Sequence, residues 1–195
     1  MSLTIHGLGT ALPPHHLAQG DAATVAARVA LPEQGSSPSK RRLLETLHRR
    51  TGVVMRHIVL EDLTGKNAGQ DQSFFGSTSP GTGERMRRYA LEAPPLALKA
   101  VRAALEQAQL APECITHLVT VSCTGFHAPG IDLALMAALP LRPSVARTHV
   151  GFMGCPAATA ATRRWCSRCW ISGQGPCTAA SPNTTSCSSE DVVLV

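Results

Sequence analysis

Cys155 has the setting best suited to nucleophilic chemistry. It follows Gly154 directly, after a strand-like run over residues 145–153, and a run of alanines over residues 157–161 should start a helix behind it. A helix N-terminus carries partial positive charge and unpaired N–H groups, which stabilise a thiolate and lower the thiol pKa. The preceding glycine lets the backbone turn sharply and leaves room for a substrate carbonyl. The same residue also reads as a buried, inert cysteine, because spacing identifies no partner base.

A second group of residues is cationic. Lys40, Arg41, Arg42, Arg49 and Arg50 surround Leu43, Leu44 and Leu47, and the leucines fall at helical spacing. Residues 40–50 therefore read as an amphipathic helix whose outer face is either simply solvated or a patch for phosphate or a coenzyme. Two other patterns are weaker. Gly7-x-Gly9 lacks the third glycine and the immediate helix of a dinucleotide loop. Cys166-x-x-Cys169 has zinc-ligand spacing, but Cys177 and Cys187 are single, so no metal site is expected. Seven cysteines, an odd number, argue against a disulfide framework.

The elements that must position these residues follow from pattern. Residues 3–14 read as a short strand running into a turn at Pro13-Pro14, residues 21–29 as a helix, and residues 53–60 as a strand. Residues 61–83 are polar and rich in Gly and Ser, hence a long loop. A helical turn or two over residues 84–91 should be interrupted at Pro94-Pro95, with Pro95 opening a new helix. Leu96, Ala100, Val101, Ala104, Leu105 and Ala108 give that helix one apolar face. Residues 117–122 form a continuous apolar run of strand length, typical of a strand covered on both faces. A short apolar helix over residues 131–139 and the strand at 145–153 complete an α/β layered sheet.

Composition bounds the function. The chain has 195 residues, 18 Lys and Arg against 13 Asp and Glu, and a net charge of +5. Hydrophobic residues make up 44%, so the chain can bury a core. Aromatic residues are only 4%, too few for the stacking platforms of single-stranded nucleic-acid binding. The modest basic excess points to an anionic ligand before a DNA duplex. No apolar run approaches the ~18 residues that span a bilayer, and no signal peptide is visible at the start. A cytoplasmic protein, off the membrane and without nucleic acid, is the expectation.

Three blocks carry a family resemblance: Thr116-His-Leu-Val-Thr-Val-Ser-Cys-Thr-Gly-Phe-His-Ala-Pro-Gly-Ile-Asp-Leu-Ala-Leu, Leu139-Pro-Leu-Arg-Pro-Ser-Val-Ala-Arg, and Gly151-Phe-Met-Gly-Cys-Pro-Ala-Ala. In this order they resemble the type III polyketide synthases, the chalcone/stilbene synthase family of the thiolase superfamily. The Cys-Thr-Gly-Phe variant is more similar to bacterial members than to plant ones. Gly7-Leu-Gly-Thr-Ala-Leu-Pro-Pro and Leu47-His-Arg-Arg-Thr-Gly-Val-Val-Met-Arg-His also fit the family's N-terminal region. The resemblance implies the α/β N-terminal half of a thiolase-like layered fold over residues 3–161. It implies that Cys155 takes an acyl group from a starter acyl-CoA as a thioester. Decarboxylation of malonyl-CoA then gives an enolate that attacks this thioester and lengthens the chain. Both coenzyme A thioesters are substrates, and no cofactor is implied. Cys123 and Thr124 fall where the family lines its elongation cavity. Ala128 falls on the loop that reaches the neighbouring subunit's cavity in the homodimer. Of the basic helix, only Arg50 lies at a cationic position matching the family's coenzyme A contacts.

After Ala161 the resemblance stops. Residues 162–195 hold both tryptophans and four of the seven cysteines, with neither helical nor strand period, so an irregular tail is expected. If its Ser and Arg codons are of the TCN and CGN types, reading residues 165–170 one base later gives mostly small aliphatic residues. That is the pattern of a frameshifted helix. The family's catalytic His and Asn come from its second half. The eight histidines here all lie at or before His149, and the asparagines are Asn67 and Asn183, none in a matching motif. The expected function is therefore that of a polyketide synthase-type acyltransferase, truncated and inactive alone. A ketoacyl-carrier-protein synthase III-like enzyme and a non-catalytic coenzyme A-binding fragment are the alternatives.

Overall fold

His15–Ala18 forms strand β1, Gln19–Ala30 helix α1, Pro38–Arg50 helix α2 and Met55–Ile58 strand β2. The structure is a computed structural model, described over residues 5–31, 37–63, 74–75, 80–122, 125–151 and 191–194. It divides into two units: Leu12–Arg85, and Met1–Ala11 together with Met86–Val195.

In the Leu12–Arg85 unit, β1 and β2 pair antiparallel with His16 opposite His57 and Leu17 opposite Arg56. α1 packs on α2, and α1 buries Ala22, Ala23 and Ala27. Pro38 opens α2 at a position whose N–H needs no partner, and Ser37 Oγ accepts from the Ser39 amide at 3.3 Å. The leucine spacing located this helix but not its inner face. Leu43 and Leu47 are 59% and 55% exposed, and no α2 residue is buried. The short alanine side chains of α1 make a narrow bed, on which only Leu44, Thr46 and His48 become half-buried. At the end of α2 the chain turns through Gly52 at φ +71°, a conformation that only glycine adopts without strain. Within the expected loop, Glu61–Leu63 is a single 3₁₀ turn that buries Leu63.

The second unit is built on helix α3 (Thr82–Ala108). The expected break at Pro94-Pro95 does not occur, and both prolines lie inside one helix. Each removes one backbone hydrogen bond. The remaining turns hold because Ala97, Val101 and Leu105, one stripe at i, i+4 and i+8, are buried in the core. Ala100, Ala104 and Ala108 form a neighbouring stripe. Gly7 and Gly9 press on it so closely that an added Cβ would meet the carbonyls of Ala104 and Ala100. Residues 5–13 are thus not the expected strand. Gly7, Leu8 and Gly9 lie along a helix instead, where Leu8 N donates to Gln107 Oε1 at 2.6 Å, and residues 5–13 belong to no strand. α3 ends with Gln109 at φ +55°, while the Leu110 amide reaches back to Leu105 O at 3.1 Å.

β3 (Ile115–Ser122) follows and buries Leu118, Val119 and Thr120 in succession, so both its faces are covered, as its apolar run requires. α4 (Ile131–Ala138) packs on β3 through Leu135, and β4 (Ala146–Gly151) lies parallel beside β3. Arg147 Nη1 binds Asp132 Oδ2 at 2.8 Å, tying β4 to α4. Within the tail expected to be irregular, Asp191–Leu194 forms β5, parallel to β3 on its other side. Its Val-Val-Leu run has the β propensity that an open strand edge selects. The sheet order is β4-β3-β5. Cys114, just before β3, is buried and disulfide-bonded, a single bridge and not the framework that the odd cysteine count argues against.

Candidate active site

β3 and β4 run parallel in a register that pairs Ser122 with Gly151. The chain therefore leaves both strands at the same end of the sheet. Cys123 follows Ser122 directly, and Cys155 comes four residues after Gly151. In parallel sheets ligands gather outside the carboxyl ends of the strands, because loops from neighbouring strands converge there. Cys123, Thr124 and Cys155 themselves lie outside the described residues.

The described groups around this end are well tied. Thr120, 0% exposed, shares a 2.8 Å hydrogen bond between its Oγ1 and Nδ1 of His149, its register partner on β4. Ser122 Oγ accepts from Gly125 N at 3.0 Å. Tyr89 of α3 packs its ring against Gly125, where any larger residue would collide with it. Phe126 N points at Met86 Sδ at 3.3 Å. Ala128 is exposed and joined to Pro129 by a cis peptide bond, just before the Gly130 that opens α4.

Arg50 belongs to the other unit, exposed at the last position of α2. Of the five residues singled out from sequence, Arg50 and Ala128 are thus the two described, one in each unit. Sequence reasoning missed two groupings. One is the Thr120–His149 pair, for which the only signal was a threonine inside an apolar strand. The other surrounds Gln19, whose buried carboxamide bonds to the end of α2 and to Arg56. A groove of about 560 Å³ beside β1 includes His15, His16, Asp21 and Met55 in its lining. Among the described residues, no three His, Cys, Asp or Glu side chains are grouped to hold a metal. No described helix is long and apolar enough to cross a membrane.

This α/β arrangement is that of the thiolase-like enzymes. Residues 2–166 match the family model described as chalcone and stilbene synthases, N-terminal domain, and the chain belongs to that family. It is 31% identical over 154 residues to an alpha-pyrone synthesis polyketide synthase-like protein of Mycobacterium tuberculosis, covering 79% of this chain and 37% of the relative. It is 32% identical over 161 residues to the 1,3,6,8-tetrahydroxynaphthalene synthase of Streptomyces peucetius, covering 83% and 39%. The crystal structure of a polyketide synthase from the brown alga Ectocarpus siliculosus superposes with a TM-score of 0.69 at 31% identity, over 83% of this chain and 42% of that one. A type III pentaketide synthase from Neurospora crassa gives 0.69 at 28% identity, over 86% and 41%. The chain spans about two fifths of the length of these relatives. Because they are polyketide synthases, the ketoacyl-carrier-protein synthase III alternative is not favoured.

Proposed function

We propose that the chain carries the nucleophile-bearing part of a type III polyketide synthase and that Cys155 accepts the starter acyl group. The supporting observation is the Ser122–Gly151 register, by which the segments leading to Cys123 and Cys155 start side by side at one sheet end. In this reading the Cys155 thiolate attacks the carbonyl of an acyl-CoA. The carbon–sulfur bond to coenzyme A breaks, and coenzyme A leaves as a thiolate that takes up a proton. Cys123 and Thr124 line the cavity for the growing chain, Arg50 contacts coenzyme A phosphate, and Ala128 reaches toward a second copy in a homodimer. The domain is taken as residues 3–161, and residues 162–195 as a segment read out of frame. A cytoplasmic location belongs to the same proposal.

Extension is a separate step. Malonyl-CoA loses carbon dioxide, and the resulting enolate carbon attacks the Cys155 thioester, releasing the thiol. The enolate oxygen needs positioned hydrogen-bond donors. In the family a His and an Asn supply them, and no residue of this chain matches either. The 195-residue chain is therefore expected to stop at the acyl-enzyme.

Intact-mass measurement after incubation with a short-chain acyl-CoA tests the first step. One acyl adduct, mapped by peptide digestion to Cys155 and absent from Cys155→Ala, is the expected result. An adduct that survives the substitution would remove Cys155 from the nucleophile role.

A further inference from the structure

Strand β1 has one covered face and one open one. Leu17 is buried, whereas His16 and Ala18 on either side of it are exposed. Successive side chains of a strand alternate between faces, so His16 and Ala18 share the open one. Their register partners on β2 are His57 and Met55, both exposed. Residues directly opposite in an antiparallel pair project from the same face. Two imidazoles and one thioether therefore stand together on this two-stranded sheet.

The backbone ladder fixes how close the imidazoles come. Just past the strand ends, Gln19 N donates to Val54 O at 3.0 Å, which makes these two a hydrogen-bonded pair. Hydrogen-bonded and non-hydrogen-bonded pairs alternate along an antiparallel ladder. Ala18–Met55 is thus non-hydrogen-bonded, Leu17–Arg56 hydrogen-bonded and His16–His57 non-hydrogen-bonded. Non-hydrogen-bonded partners have Cα atoms only about 4.5 Å apart and the closer side chains of the two kinds. Both rings are within reach of one ion.

The His57 ring is also turned for the purpose. Its Nδ1 lies 3.4 Å from Pro13 O. A carbonyl only accepts, so Nδ1 carries the proton and the ring's lone pair is left on Nε2, the arrangement of a metal-bound imidazole. His16, Met55 and Asp21 line the groove of about 560 Å³ beside β1, which leaves room for an ion. The Asp21 carboxylate adds negative charge to its wall. Among the described residues no three His, Cys, Asp or Glu side chains are grouped to hold a metal, so the third donor on this face is the Met55 sulfur. That donor set selects the ion. Imidazole suits copper, nickel and zinc, copper heads the affinity order of the divalent metals, and thioether sulfur favours Cu(I).

We infer that His16 and His57 chelate a copper ion on the open face of β1 and β2, with the Met55 thioether as a third, softer ligand. The site lies within the Leu12–Arg85 unit and does not depend on the function proposed above.

Calorimetric titration of the 195-residue chain with copper(II) sulfate tests it, after the free thiols are blocked with iodoacetamide so that thiolate does not compete. One ion per chain is expected, with nitrogen hyperfine structure in its electron paramagnetic resonance spectrum. His16→Ala and His57→Ala should each weaken binding by roughly 10–100-fold, the loss that follows even an altered outer-shell contact. His127→Ala, at an exposed histidine of the other unit, should leave it unchanged. Met55→Leu should weaken Cu(I), measured by competition with a chromogenic chelator, more than Cu(II). Far-UV circular dichroism reports whether each protein is folded. If blocking disturbs the fold, the imidazole concentration that elutes the untreated chains from immobilised Cu(II)-iminodiacetate gives the same comparison. Equal losses in all three histidine variants would mean scattered binding by surface imidazoles. That result, or folded His16→Ala and His57→Ala variants with wild-type affinity, would overturn the inference. An unchanged Cu(I) affinity in Met55→Leu would remove the thioether from the ligand set.

Discussion

Gln109 holds a backbone conformation that its side chain does not favour. At φ +55° it occupies the left-handed position after α3 that glycine usually fills. Non-glycine residues bear a cost of roughly 1–2 kcal/mol there. Gln109 is exposed, so its side chain has little packing to lose. Gln109→Gly is expected to stabilise the chain by about 1 kcal/mol, part of the gain being offset by glycine's greater freedom when unfolded. Urea denaturation of the two proteins measures it, and a destabilised variant would mean the glutamine side chain holds the turn. Cys155 belongs to the same scale. If a helix N-terminus activates it, brief iodoacetamide treatment near neutral pH followed by mass spectrometry should label Cys155 ahead of Cys123. Equal rates would point to an unfolded chain, and a slower Cys155 would remove the activation argument. Such residues differ in how far sequence exposes them. Cys155 stood out because glycine, cysteine and alanines are neighbours in the chain. Gln19 did not, because its partners lie about thirty residues away and nothing local marks them.

Elements that carry their own period were legible, and those shaped by a neighbour were not. The apolar run of β3 and the spacing in α1, α2 and α4 predicted these elements within a few residues of their ends. The first segment failed for a physical reason. Glycine punctuation and the following prolines suggested a strand running into a turn, but Gly7 and Gly9 are held by the small-residue stripe of α3, a tertiary partner invisible in local pattern. The same blindness placed a break at Pro94-Pro95, where burial of Ala97, Val101 and Leu105 carries the helix through. Substitution tests the packing of the first segment. Gly→Ala commonly stabilises a chain by limiting its unfolded states. Gly9→Ala should do the reverse, because the added methyl would meet the Ala100 carbonyl and Ala104 amide of α3. A loss of about 1–3 kcal/mol is expected, the usual cost of overpacking. A more stable variant would show that the segment can lift away without penalty.

For the whole molecule, the decisive prediction is a negative one. Incubated with labelled malonyl-CoA and a panel of acyl-CoA starters, the purified 195-residue chain should yield no condensed product. Removing one oxyanion donor typically costs ~10²–10³ in rate, and here neither the family's His nor its Asn has a counterpart. Losses within one catalytic unit are not additive, so the two are not multiplied. A product of two or more condensed units, abolished by Cys155→Ala, would show that other residues of this chain supply those groups. The candidate site was legible in part because the family blocks flank β3 and β4. Its arrangement was not, because strand register is set by pairing and carries no local signature. That register has a consequence for tolerance to error. Thr120 and His149 stand directly opposite each other and share a hydrogen bond, which works as a dowel between the two strands. Were β4 to seat one residue out of step, the dowel would have no socket, since His149 would turn to the other face of the sheet. The take-off point toward Cys155 would also shift by about 3.3 Å relative to the one toward Cys123. Reacting groups misplaced by even ~1 Å can forfeit a hundredfold in rate. Misassembly at this seam would leave a chain with nearly all its helices intact and its chemistry out of reach.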